Sequence, residues 1–496
     1  MSFLPGGGCA IVGGPLQAAC GGTLSDGTIV KYISTRGAAP ALGFEDVLLT
    51  GLARDGGLYL PEKWPEITRE EIAGLAGKSY QDVAVRIMKP YVGGEIPDAD
   101  LAAIITDAYA TFRHRVVTPL VQVGPSDWIL ELFHGPTLAF KDVAMQVLSR
   151  LMDRALSRRG RNATIVGATS GDTGGAAIEA FRGRDAIDIF MLFPEGRVSD
   201  VQRRQMTTPT EANVHTIAIQ GTFDDCQNMV KALFNDLPFR DRLGLAGVNS
   251  INWARLMAQI VYYFTSAVAL GAPSRTVSYS VPTGNFGDIL AGYAAKRMGL
   301  PIDRLVIATN VNDILTRMLE TGRYESREVA ATFSPSMDIQ ISSNFERLLF
   351  ELTGRHAERV NSLMRDLTTR GGFALTQGEH GQLKEGFDAE RTDETATLAT
   401  IRDLEAATGY LADPHTAVAV SAARRVARRP DVPMITLSTA HPAKFPDAIR
   451  RAVGHVPPEP ETVTRQRTLP ERVTVLPNDV AAVAQFVSSR ARAGRG

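Results

Sequence analysis

The chain has 496 residues, of which 44% are hydrophobic and 22% charged, and a formal net charge of −1. This suits a globular protein of two or three domains with a large buried core. It argues against a nucleic-acid-binding surface, because acidic and basic residues are balanced and dispersed, and no apolar stretch is long enough to span a bilayer.

Three cysteines, Cys9, Cys20 and Cys226, are too few and too scattered for a disulfide framework or a cysteine-based zinc site. The eight histidines show no HExxH or comparable ligand spacing, so no protein metal site is expected.

Residues 1–30 are rich in glycine and lack lysine and arginine, so they do not read as a secretory signal. Gly-rich chain loses much entropy on ordering and buries little in return, which makes a disordered leader the plain expectation. The sharper expectation is a mis-assigned start, with the native chain opening at Val30.

Residues 31–115 carry helical apolar spacing over 45–53, 69–76, 79–89 and 98–113, divided by Gly/Pro breaks, and predict a mainly helical N-terminal unit. From about 116 the pattern changes. Short apolar runs at 128–132, 164–167, 187–193, 215–219, 276–281, 305–308 and 433–437 read as buried strands. Most are followed by helical segments, 141–157, 174–182, 224–236 and 288–298 among them. The alternation predicts an α/β fold with two open, mostly parallel sheets. The expected division is a large domain of 116–145 and 241–496 and a smaller α/β domain of 146–240. Segment 455–476 reads as a surface excursion, and Arg490, Arg492 and Arg495 as a solvated basic tail.

Four strand ends run into turns able to carry chemistry, where open α/β sheets bind ligands. In His134-Gly-Pro-Thr-Leu-Ala-Phe-Lys-Asp142, Lys141 falls in the first turn of a helix, where the dipole disfavours a cation. Such a local conflict marks a functional residue, and an amine held among apolar groups is a better nucleophile toward an aldehyde. A surface lysine fits the segment alone equally well.

Ala168-Thr-Ser-Gly-Asp-Thr-Gly-Gly175 has small residues at a helix start that favours anions, with Ser170 and Thr173 as hydroxyl donors and Asp172 as a cap or loop organiser. Pro282-Thr-Gly-Asn-Phe-Gly-Asp288 can expose consecutive amides to a phosphate, although an ordinary tight turn capped by Asp288 also fits. Leu437-Ser-Thr-Ala-His-Pro-Ala-Lys444 offers a neutral hydroxyl from Ser438 or Thr439. For His441 and Lys444 a structural or surface place is the simpler expectation.

In this order the four segments resemble the threonine synthases of the β-family (fold type II, tryptophan synthase β-like) of pyridoxal-phosphate enzymes. Tyr32-Ile-Ser-Thr-Arg-Gly37, Asp55-Gly-Gly-Leu-Tyr-Leu-Pro61, Pro194-Glu-Gly-Arg-Val-Ser199, Gly221-Thr-Phe-Asp-Asp-Cys226 and Asn249-Ser-Ile-Asn-Trp-Ala-Arg255 are similar to further segments of that family. The likeness covers roughly residues 31 to 450.

The resemblance implies that Lys141 is the catalytic residue and holds pyridoxal 5'-phosphate as a Schiff base. It implies that Gly284, Asn285, Phe286, Gly287 and Asp288 hold the cofactor phosphate, and that Thr439, or else Ser438, faces the pyridine nitrogen. The Ser170, Gly171, Asp172, Thr173 and Gly174 turn would bind the substrate carboxylate. Arg255, Arg197, Arg203 and Lys444 are candidates for the substrate phosphate. The implied substrate is O-phospho-L-homoserine, converted with water to L-threonine and phosphate by a lyase of amino-acid biosynthesis. The implied enzyme is a cytoplasmic monomer or homodimer without nucleic-acid or membrane partners. Neighbouring possibilities are another fold type II lyase, such as a threonine or serine dehydratase or an O-phosphohomoserine phospho-lyase, and a non-catalytic protein retaining the fold. Deleting residues 1–29 is expected to leave thermal stability and turnover unchanged, and a collapse of either would refute a dispensable leader.

Overall fold

The protein is seen in a computed structural model that describes residues 30–493. The expected leader, Cys9, Cys20 and Arg495 lie outside the described residues.

The N-terminal unit opens with β1 (Tyr32–Ser34), paired antiparallel to β2 (Tyr59–Pro61). Its helices are Phe44–Thr50, Arg69–Ala73, Tyr80–Val92 and Asp98–Tyr109. The first stops earlier than its apolar spacing suggests, because Gly51 takes φ +67 and returns its N–H to the Val47 carbonyl. The third runs past Pro90, which removes one i−4 hydrogen bond only two residues before the helix ends.

The chain then lays down β3 (Leu120–Gln122) and β4 (Asp127–Glu131), an antiparallel pair, followed by the long helix Lys141–Arg158. It next builds a smaller, all-parallel sheet from β5 (Ala163–Ala168), β6 (Ile187–Pro194), β7 (Val214–Gln220) and β8 (Leu245–Ala246). Every residue of β6 is buried, so the strand reads as a continuous apolar run rather than an alternation. Helix Trp253–Ala269, apolar nearly all round, returns the chain and packs against both helix Tyr80–Val92 and helix Lys141–Arg158.

The larger sheet is completed by β9 (Val277–Pro282) and β10 (Ile302–Thr309). After a side pair, β11 (Arg323–Glu325) with β12 (Gly372–Ala374), come its last strands β13 (Phe387–Arg391) and β14 (Met434–Ser438). The strand order is β13-β10-β9-β14-β4-β3, parallel except for β3. The predicted strands and crossover helices of both sheets are present within a few residues of their expected bounds. No helix among the described residues is long and apolar enough to cross a membrane.

Two expectations near the C-terminus are corrected. Segment 455–476 is not merely a surface excursion: it holds helix Glu461–Arg467 and most of β15 (Thr474–Pro477), which joins the smaller sheet beside β7 in the order β15-β7-β6-β5-β8. An edge strand with Val475 in solvent and a terminal proline gives little apolar signal. Nor is Arg492 a free tail residue, although its side chain keeps 40% exposure. Its backbone N–H and Nε donate to the buried Asp188 of β6 at 2.6 and 2.8 Å, and its Nη2 donates to the Ile187 carbonyl at 2.9 Å. The smaller sheet therefore draws on residues outside 146–240, at 245–246 and 474–493. Replacing Arg492 by Ala leaves Asp188 with only a backbone donor, and should lower stability by about 2 kcal/mol, below the usual loss for a fully buried pair. Urea unfolding of the two proteins measures this.

Candidate active site

Three of the four motif loops leave the same edge of the larger sheet. β4, β14 and β9 are parallel neighbours, and from their carboxyl ends come the His134–Asp142, Ser438–Lys444 and Pro282–Asp288 segments. The fourth loop, 168–175, leaves the carboxyl end of β5 in the smaller sheet.

The first and last of these are tied backbone to backbone. Phe140 N–H donates to the Thr439 carbonyl at 2.8 Å and His441 N–H to the Leu138 carbonyl at 3.0 Å, around an Ala139–Ala440 bridge. The turn before the helix is closed by Asp142, whose carboxylate accepts from Thr137 N–H at 2.8 Å and Thr137 Oγ1 at 2.6 Å. Gly135 lies so close beneath it that a Cβ would stand 2.4 Å from that of Asp142. Burial raises the Asp142 carboxyl to about 6 against these hydrogen bonds.

Lys141, at the first position of its helix, is buried, not on the surface. Its Nζ sits 3.5 Å from Asp172 Oδ2 and 4.9 Å from the Phe140 ring centroid. Burial lowers its pKa; Asp172 opposes this, and Lys444 and Arg255 reinforce it.

Asp172 is neither a cap nor a loop organiser. Thr169 organises the turn, its hydroxyl accepting from Gly171 N–H at 3.0 Å and Gly174 N–H at 2.9 Å. Gly171 has φ +146, and a Cβ there would press on the Gln202 amide at 2.4 Å. The Asp172 carboxylate is instead bound at Oδ1 by Lys444 Nζ at 2.7 Å and by Gln202 Nε2 at 2.9 Å. Burial alone would raise this carboxyl; the Lys444 and Lys141 ammonium groups outweigh it and hold the group far below the usual carboxylate range. Ser170 is exposed and Thr173 partly buried.

Lys444 is also not at the surface. It is fully buried, and its ammonium donates to the Thr137 carbonyl at 2.8 Å and Gln205 Oε1 at 3.1 Å as well as to Asp172. Of the other cations considered, Arg197 is exposed and Arg203 is committed to Glu471 and Asp200. Arg255 is different. It is buried, its Nη1 donates to the Val248 carbonyl at 3.0 Å, its Nε has no partner, and no carboxylate among the described residues pairs with it. Burial lowers it to about 10, so it stays charged at neutral pH.

The 284–288 loop is held from behind. A Cβ on Gly284 would lie 2.5 Å from the Ser336 carbonyl oxygen. Ser342 Oγ donates to the Gly284 carbonyl at 2.7 Å, and Asn344 donates to the Asn285 carbonyl from both N–H and Nδ2 at 3.0 Å. Phe286 sits at φ +62 with its ring buried against Phe345, so the strained residue faces the core and the amides of Gly287 and Asp288 open helix Gly287–Arg297. The Asp288 side chain does not cap this turn. Its carboxyl is engaged by the Tyr262 and Tyr263 hydroxyls, leaving only its backbone for the loop.

Ser438 and Thr439 are both buried at the end of β14, but only Ser438 is committed, to Thr416 Oγ1 at 2.9 Å and to the Tyr410 hydroxyl at 3.3 Å. Among the described residues the Thr439 hydroxyl makes no hydrogen bond.

Sequence reasoning undervalued Lys444 and overlooked Thr169, Gln202 and Gln205. A lysine inside the apolar run His441–Pro446 was the available signal for the first. Thr169 acts inside its own turn, on amides 2 and 5 residues ahead, whereas the site partners of Gln202 and Gln205 are 30 to 239 residues away.

Three family models match the chain: Threonine synthase N terminus over 31–109, Pyridoxal-phosphate dependent enzyme over 112–434, and Threonine synthase, C-terminal, over 416–487. A threonine synthase from Pseudomonas aeruginosa is 52% identical over 467 residues, covering 94% of this chain and 100% of the relative. The crystal structure of pyridoxal-phosphate-bound threonine synthase from Brucella melitensis superposes with a TM-score of 0.92 at 59% identity, covering 94% of this chain and 100% of that one. Threonine synthase from yeast superposes with a TM-score of 0.89 at 43% identity, over 93% and 98% of the two chains. The chain thus belongs to the threonine synthase family of fold type II pyridoxal-phosphate-dependent enzymes.

Proposed function

We propose that the chain converts O-phospho-L-homoserine and water to L-threonine and phosphate, with Lys141 as the residue that holds pyridoxal 5'-phosphate. The observation that carries this is a buried, pKa-lowered lysine amine at the shared carboxyl edge of β4, β14 and β9, facing a loop of the smaller sheet. The site fits the cofactor. An aldehyde needs an amine that can lose its proton, which burial of Lys141 favours. A phosphate needs backbone donors at a helix start, and Gly284 and the positive-φ Phe286 set the loop for that approach.

Lys141 would hold the cofactor's aldehyde carbon, residues 284–288 its phosphate, and Thr439 its pyridine nitrogen. Thr439 is preferred over Ser438 because the Ser438 hydroxyl is already engaged. When bound, pyridoxal phosphate supplies the electron sink for carbanionic character at the substrate carbons. The protein's own part is positioning and proton movement. The Lys141 amine, when free, would take the proton from Cα and move protons among Cα, Cβ and Cγ as phosphate leaves Cγ and water adds at Cβ. Hydroxyl and amide donors of the 170–174 turn orient the substrate carboxylate, the turn itself being closed by the Thr169 hydroxyl.

Arg255 is the proposed grip on the substrate phosphate, because a buried guanidinium without a carboxylate needs an anion to complete it. A cytoplasmic monomer or homodimer acting on this small molecule is part of the same proposal.

Lys141→Ala should lose threonine formation by at least roughly 10³-fold. In the parent enzyme, borohydride should fix the cofactor on the peptide containing Lys141. Parent-rate threonine synthesis by the variant would sink the assignment, and 2-oxobutyrate in place of threonine would point to a different lyase. Arg255→Met should lower kcat/KM for O-phospho-L-homoserine by roughly 30-fold or more while cofactor content, read by absorbance, is unchanged. A matching loss of cofactor would place Arg255 on the other phosphate.

A further inference from the structure

On the footing that Lys141 carries the cofactor, we infer that Lys444 is a positioning residue that acts through Asp172, engaging that carboxylate so that Lys141 is left without a dedicated counter-ion. Two ammonium groups share one carboxylate here, and they share it unequally. Lys444 Nζ stands 2.7 Å from Oδ1, while Lys141 Nζ stands 3.5 Å from Oδ2.

The rest of the geometry keeps the sharing unequal. An ammonium has three protons, and those of Lys444 meet three acceptors: Asp172 Oδ1, the Thr137 carbonyl at 2.8 Å and Gln205 Oε1 at 3.1 Å. Gln205 is itself fixed, its Nε2 donating to the same Thr137 carbonyl at 3.1 Å. Gln202 adds a neutral donor to Asp172 Oδ1 at 2.9 Å. Lys444 is thus saturated and closed to solvent, unlike Arg255 with its unpartnered Nε. That difference argues against Lys444 as the grip on an incoming phosphate.

The charged groups facing Lys141 come from three elements: Asp172 from helix Asp172–Phe181, Lys444 from the turn Pro442–Lys444, and Arg255 from helix Trp253–Ala269. Asp142, next to it on its own helix, is engaged by Thr137. Two cations and one shared anion favour the neutral amine at Lys141. Removing Lys444 subtracts one cation and frees the anion, and both changes stabilise the protonated amine. The working lysine would then need a higher pH to attack an aldehyde or accept a proton.

The test uses the full chain in two forms. With cofactor removed, the pH dependence of capture of added pyridoxal 5'-phosphate is followed by absorbance and by borohydride trapping at Lys141. With cofactor bound, the acid limb of kcat and the KM for O-phospho-L-homoserine are measured. In Lys444→Met both profiles should move to higher pH by about one unit, with KM changed less than about threefold, within the range of an indirect effect. Adding Asp172→Asn should bring the profiles back toward the parent, a rescue that a merely structural role would not give. If Lys444→Met does not fold, Lys444→Gln, whose amide can still donate to the Thr137 carbonyl, carries the same expectation. Unmoved profiles overturn the inference, as does a large rise in KM with the profiles in place. Trapping at a lysine other than Lys141 in the parent would instead overturn the cofactor assignment itself.

Discussion

A single carboxylate joins the two halves of this site. Asp172 belongs to the smaller sheet's loop, whereas both lysines that meet it belong to segments leaving the larger sheet. A buried carboxylate is very unfavourable alone, and so is a fully buried ammonium, so neither side of the contact is stable without the other. The interaction therefore ties the helix that follows the 168–175 turn to the segments around Lys141. It also sets the charge balance in which that lysine works. Its partners reach further: Gln202 and Gln205, on the helix after β6, bind Asp172 and the Thr137 turn respectively. Movement of the smaller sheet relative to the larger would be felt directly at Lys141.

The sheets were legible from the sequence because parallel strands buried on both faces produce unbroken apolar runs, and the helices between them keep their own period. Ile187–Phe193 and Lys141–Ser157 needed no tertiary information to be placed. Lys141 stood out for another reason, as a cation at a helix start where the dipole opposes it, although the segment alone fitted a surface lysine equally well. The Asp172–Lys444 contact was not legible, since 272 residues separate the partners and each has a bland local explanation, a cap and a surface lysine. β15 escaped for a physical reason too: an edge strand with one face in water alternates too weakly over four residues to stand out from a Pro/Thr-rich segment. Arg492 reads as tail until it is seen beside Asp188, itself hidden within the most apolar strand of the fold.

The N-terminal unit takes part in the site through one buried arginine. Arg347 donates to the Tyr59 carbonyl of β2 at 2.9 Å, to the Ile251 carbonyl at 2.7 Å and to Asn344 Oδ1, and it stacks over Trp253 at 5.7 Å. Asn344 then holds the Asn285 carbonyl and, at 3.2 Å, the Ser250 carbonyl. One guanidinium thus links the helical unit, the start of the helix bearing Arg255 and the loop proposed for the cofactor phosphate. Arg36 adds a second tie, pairing with Glu346 at 3.1 Å beside the same segment. This accounts for a family segment at each of these places: their backbones must keep register with one another, although only the last would meet the cofactor in the proposed arrangement.

That loop also carries an apparent contradiction, a carboxyl group two residues after Phe286 where an anion is proposed to bind. The structure resolves it by burial. Asp288 is turned under Tyr262 and Tyr263, and its Oδ2 has no hydrogen-bond partner. Desolvation raises the group to about 7 even though both tyrosine hydroxyls favour the charged form. Much of its charge is therefore absent at and below neutral pH, which weakens the repulsion toward a phosphate on the Gly287 and Asp288 amides. Tyr263 also steadies the helix start, because its hydroxyl donates to the Asp288 backbone carbonyl at 2.9 Å. An asparagine could make similar hydrogen bonds without any charge. The carboxylic acid differs in making the repulsion depend on pH: its contribution to the fold falls off between the ordinary carboxylate range and about 7, and the repulsion at the anion site appears as pH rises through about 7.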